Sequence, residues 1–73
     1  MYYDLWDMRS SNLVESFDTE ASALEMVREV ADDYGDSAID AWALIAGYES
    51  SKEKKVIAHG RNLLDRARAI AAA

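Results

Sequence analysis

Apolar and polar residues alternate at the start of the chain, then change to a helical spacing, and the second half repeats that change. Tyr2-Tyr3-Asp4-Leu5-Trp6-Asp7 is rich in aromatics, which favour a pleated, half-buried surface. Met8-Arg9-Ser10-Ser11-Asn12 supplies a turn, with Asn12 able to take a positive φ. Leu13 to Phe17 is a second short apolar run, so the two runs read as a hairpin. Asp18 or Thr19 can then cap a helix, its side-chain oxygen accepting from a free amide of the first turn. Glu20 adds an acid where the helix dipole favours one. Leu24, Val27, Val30, Ala31 and Tyr34 recur at the spacing of one helical face, with Ala23 and Met26 at its margin. Gly35 is a natural stop. Asp32 and Asp33 are unfavourably placed at the negative end of that helix.

The stretch Ala38 to Tyr48 carries helix-tolerant alanines, but its length, Gly47 and its aromatics also fit a buried strand. Glu49-Ser50-Ser51-Lys52-Glu53 reads as a turn and Lys55-Val56-Ile57-Ala58 as a strand. That strand needs a hairpin partner, which only Trp42 to Tyr48 can supply. A last helix runs from about Gly60 into the alanine tail, with Leu63, Leu64, Ala67, Ile70 and Ala71 inward. Arg61 and Asp65 are spaced to pair on its outer face. The predicted fold is α+β, of order ββαββα, with one four-stranded antiparallel sheet and two helices on one face. Residues 1–73 form a single domain. A shift of forty residues superposes Leu5 on Ile45, Phe17 on Ile57, Leu24 on Leu64, Val27 on Ala67 and Val30 on Ile70. An internal duplication of 1–35 and 41–73 is the corresponding expectation.

Strand alternation places Tyr3 and Leu5 on one face and Tyr2, Asp4 and Trp6 on the other. It groups Leu13 and Phe17 with the first set, Val14 and Ser16 with the second. If the helices cover Leu5, Leu13, Phe17 and Ile57, then Tyr2, Trp6, Val14 and Trp42 lie on the uncovered side. A two-layer domain usually turns a polar sheet face to water. An aromatic one marks an interaction surface, unless those rings pack on the C-terminal segment or on turn residues such as Tyr48 or Arg9.

Composition sharpens this expectation. The chain has 73 residues and no cysteine, so neither disulfides nor thiolate metal sites are available. A core this small is marginal, and oligomerisation is one common remedy. A homo-oligomer, most simply a homodimer through the open face, is therefore expected. No apolar stretch approaches the ~18 residues of a membrane span. The acidic, aromatic start MYYDLWDM is unlike a secretory leader, so a cytoplasmic protein without membrane contact is expected.

The net charge of −6 is unevenly distributed. Residues 1–50 hold twelve acids against Arg9 and Arg28, whereas residues 51–73 hold Glu53 and Asp65 against three lysines and three arginines. One half of the fold lying against the other accounts for this without a partner. The acidic total and the lack of aromatics among the basic residues disfavour nucleic acid. Glu25, Glu29, Asp32, Asp33 and Asp36 provide a second possibility, an acidic regulator docking onto a basic protein.

Little points to catalysis. His59 is the only histidine and has no nucleophile spaced to it. A capping or partly buried role is its ordinary use. Asp32-Asp33-Tyr34-Gly35-Asp36-Ser37 does not fit a calcium loop, and a solvated acidic cap is the simpler account. Gly35, Gly47 and Gly60 are isolated, so no phosphate-cradling loop is formed. No metal or cofactor is implied, and a non-enzymatic protein is expected.

Four stretches carry a resemblance. They are Y-D-L-W-D at residues 3–7, S-N-L-V-E-S-F-D-T at 11–19, F-D-T-E-A-x-A-L at 17–24 and A-H-G-R-N-L-L at 58–64. With them most of the chain resembles a group of short uncharacterised bacterial proteins, which implies a small soluble bacterial-type domain and no particular activity. Locally, a strand leading through a threonine into an alanine-rich helix is similar to HicB-type antitoxins. That likeness covers under a third of the chain. It lacks the proline-rich loop expected before the threonine, and no residue role is carried over from it.

Overall fold

The computed structural model describes residues 1–50 and 52–71, and its elements follow the order ββαββα. Strands β1 (Tyr2–Asp7) and β2 (Asn12–Phe17) form the first hairpin. Helix α1 (Glu20–Tyr34) follows, then a single 3-10 turn, Asp36–Ile39. Strands β3 (Trp42–Gly47) and β4 (Lys54–His59) form the second hairpin, and α2 (Gly60–Ala71) ends the described chain. Ser51 of the expected turn, Ala72 and Ala73 of the alanine tail and the inward position expected of the Ala71 side chain lie outside the described residues.

All strand pairs are antiparallel and the spatial order is β2-β1-β3-β4. Both helices lie on one face. Ala23, Leu24, Val27 and Ala31 of α1 and Leu63, Leu64 and Ala67 of α2 close over Leu5, Leu44 and Ala58. Ile39 of the 3-10 turn, which the sequence reading did not anticipate, joins the same core. Tyr34 and Ile70 depart from the helical faces expected of them. Tyr34 is 78% exposed in the last residue of α1, and Ile70 is exposed near the end of α2. Each lies where its helix runs past the core.

Local chemistry sets the element ends. Thr19 is the N-cap of α1: its Oγ1 accepts from the Ser22 amide at 3.2 Å, satisfying a donor that the helix leaves free. Gly35 ends the helix at φ +94°, with its N–H donating to the Ala31 carbonyl at 2.8 Å. In the first turn Ser11, not Asn12, takes the positive φ of 59°, because Asn12 is already paired with Asp7 in the ladder.

The charge asymmetry is offset in part within the fold. Arg66 of α2 meets Glu20 at the start of α1 at 2.6 Å, and Arg68 meets Asp36 at 2.6 Å. Arg61 pairs with Asp65 within its own helix, as their spacing predicts. The hydrogen bond to Asp36 raises the Arg68 guanidinium above its ordinary pKa, and Asp32 adds to the effect through its charge. Arg68 thus supplies the positive charge that the last turn of α1 lacks, which gives the acids at that end an electrostatic partner.

Two bulges determine which residues share a face. The β1–β2 register shifts between Leu5 and Trp6, and the β3–β4 register shifts between Leu44 and Ile45. A bulge opposes two residues to one and reverses the expected alternation beyond it. Leu13 therefore pairs with Trp6, and Val14 packs against the core. Val14 and Leu13 exchange the places expected of them. This makes a direct test at low protein concentration: Val14→Ser is expected to lower stability by about 1–2 kcal/mol, while Leu13→Ser leaves it within about 0.5 kcal/mol. Urea unfolding of the two variants reads the difference, and the reverse order would mean that the bulge is misplaced.

The bulges also qualify the forty-residue repeat. Leu5 pairs with Leu44, not with Ile45. The two residues flanking each bulge in the central strands, Leu5/Trp6 and Leu44/Ile45, are thirty-nine positions apart, whereas Leu24 and Leu64 keep the spacing of forty. A constant shift assigns Ile45 to the core, and a one-residue slip in a strand exchanges its two faces. The same slip places Trp42 wrongly: it stands across from Asp7 and packs against the helix-side core.

Candidate functional site

The side of the sheet away from the helices is the most distinctive surface. In the spatial order β2, β1, β3, β4 its first row is Leu13, Trp6, Ala43 and His59. The second row is Ser16, Asp4, Ile45 and Val56. The third holds Tyr2, Gly47 and Lys54. Tyr2 and Trp6 are half-buried, Leu13 is 47% exposed and Val56 is 53% exposed. Tyr48, a possible cover for the aromatics, is itself exposed.

Of the residues singled out from sequence, Tyr2 and Trp6 are brought together on this face, whereas Val14 and Trp42 lie against the core. Leu13, Ile45 and Val56 take their places. Only the register identifies those three: Leu13 and Val56 lie in bulged strands, and Ile45 is placed by the pairing of β3 with β1. Of the five acids, Asp36 is engaged by Arg68, whereas Glu25, Glu29, Asp32 and Asp33 are exposed along α1.

Two details shape the face. A Cβ on Gly47 would lie 2.5 Å from Cζ and Oη of Tyr2, so the Tyr2 ring lies across the Gly47 backbone. Asp4 is only 8% exposed, and its Oδ1 accepts from Ser16 Oγ at 2.7 Å. The hairpin thus holds a carboxylate low between Tyr2 and Trp6, its neighbours at i−2 and i+2. Asp4, Lys54 and His59 are the ionisable charge-bearing groups in the three rows, although the chain carries −6 overall. Gly47→Ala is expected to move the Tyr2 ring, the flexible element of that contact, with a stability change of about 1 kcal/mol or less. Near-ultraviolet circular dichroism and urea unfolding separate the ring shift from loss of fold.

The edges of the sheet contrast with its face. Both edge strands carry a bulge, and β4 bears Lys54 and Lys55, two devices that discourage strand-to-strand addition. The clefts offer little chemistry. An open groove of about 580 Å³ lies on the helix side beside Lys55, Arg66 and Glu20. A shallow cleft of about 230 Å³ between Met8, Trp42, Val56 and His59 is mainly apolar. Among the described residues no group of three or more His, Cys, Asp or Glu could hold a metal ion, and no helix is long and apolar enough to cross a membrane. Comparison with family models, with curated proteins and with solved structures gave no match.

Proposed function

We propose that this is a cytoplasmic, non-enzymatic interaction module that homodimerises through the helix-free sheet face. The observation that carries the reading is an aromatic face with one acid, one lysine and one histidine on a chain of net charge −6. Like-charged copies repel least where they meet through a surface whose own charges nearly cancel. The acids of α1 lie on the other layer, so pairing through the sheet keeps them in water.

Area supports the reading. Four strands of six residues span roughly 20 by 19 Å, about 400 Å² in projection. Patches of this size are often functional. Joining two of them removes on the order of 1,000 Å² from water, near the lower end for specific interfaces. The guarded edges leave the face as the apolar surface open to a second copy.

Sedimentation equilibrium at micromolar concentration is the test, and a dimer is expected. Its mass should persist in 1 M salt, because burial of apolar surface is not screened. A monomer throughout overturns the proposal. A heterologous complex with a basic protein that dissolves as salt rises would instead favour docking through Glu25, Glu29, Asp32 and Asp33.

A further inference from the structure

The register that defines the face also limits how two copies can meet. We propose that the dimer axis runs parallel to the strands, so that β1 of one copy lies over β3 of the other and β4 over β2. The inference rests on the dimer reading above. In aligned packing of two sheets, a two-fold axis in the plane between them runs either across the strands or along them. The charge pattern separates the two.

With the axis across the strands, each strand faces its own counterpart with the rows reversed. Asp4 in the middle row of β1 then lies on Asp4 of the other copy. Lys54 and His59, at opposite ends of β4, lie on each other. The first contact opposes two carboxylates, and the second opposes a lysine and a histidine. Facing like charges in a desolvated interface is costly.

With the axis along the strands, rows are kept and columns exchange. The Trp6 position falls over Ala43 of the other copy rather than over a second ring, whereas each Gly47 is already covered by the Tyr2 ring of its own chain. Asp4 keeps its Ser16 donor and faces Ile45. The other copy's Lys54 and His59 come to the column above β2, beside that carboxylate. No like charges coincide.

The absence of cysteine makes introduced thiols unique. Leu13, Val56 and His59 are exposed, so their replacement is expected to leave the fold intact. Leu13→Cys and His59→Cys chains, one carrying a mass tag, are mixed and treated with a short bismaleimide. Val56→Cys is treated alone. The expected product is the mixed Leu13–His59 dimer, with at least a several-fold lower yield from Val56→Cys. Under this arrangement two Val56 positions are about 14 Å apart sideways, three strand spacings, in addition to the gap between sheets. A dominant Val56–Val56 product, or neither product from chains that sediment as a dimer, overturns the axis and leaves the dimer standing. Chains that sediment as monomers overturn both.

Discussion

Leu44→Ala is expected to lower folding stability by about 3–4 kcal/mol, a large share of what a chain of this length has. Leu44 is fully buried, stands across from Leu5 at the centre of the sheet and lies in a strand packed beneath α2. Removing its branched end leaves a cavity at the point where the two halves meet, and backbone on both sides is held in the ladder and cannot collapse inward. A domain of this length has about 4–11 kcal/mol of stability in total. At roughly 4–8 °C per kcal/mol, the melting temperature should fall by about 12–30 °C. Ile45→Ala is the informative companion. Ile45 is the next residue, but it points to the open face, where it pairs with Asp4 and Val56. Its loss should cost about 1 kcal/mol when measured at low concentration. Thermal unfolding by circular dichroism decides between them. If Ile45→Ala proved the more damaging, the strand register would be off by one residue and both face assignments would exchange.

Trp6→Ser is expected to weaken self-association by at least about 30-fold, equivalent to 2 kcal/mol or more, as for a central aromatic anchor. Trp6 sits in the inner pair of strands beside Asp4, away from the helices. A serine there removes the largest ring of the face and leaves a hydroxyl that must be desolvated when a second copy docks. Sedimentation equilibrium should show monomer where the parent chain is dimer, with the far-ultraviolet spectrum retained. Tyr34→Ser is the control, since Tyr34 is a larger exposed target at the end of α1 and outside the sheet. A change of equal size in both variants would mean general surface stickiness rather than a sheet interface. An unchanged Trp6→Ser dimer would remove this face from the association.

Much of the fold was readable from local chemistry. The first hairpin, Thr19 as one of two possible caps, the stop at Gly35, the second hairpin and the start of α2 near Gly60 all follow from residue type and spacing. Each rests on interactions between residues close in the chain. The side-chain faces of β1 were also readable, because alternation within one uninterrupted strand needs no outside information. The candidate surface was readable only in part. Tyr2 and Trp6 lie in an unbulged strand and were placed correctly, whereas Val14 is the extra residue of a bulge and Trp42 depends on the pairing of β3. Asp4 could be assigned to a face, but its low exposure comes from Ser16 and from neighbours across the sheet.

By itself, then, the amino-acid order determined most of the strands and both long helices, though not the 3-10 turn at Asp36–Ile39, and that β1 is apolar on both sides. Those properties arise from backbone preferences and periodicity within a few residues. The tertiary structure alone decided the strand order β2-β1-β3-β4, the two bulges and the offset of thirty-nine that aligns Leu5 with Leu44. The physical reason is that a strand exposes either face equally well until another strand fixes its register. A shift of one residue there costs nothing locally and reverses what is buried and what is left for a partner.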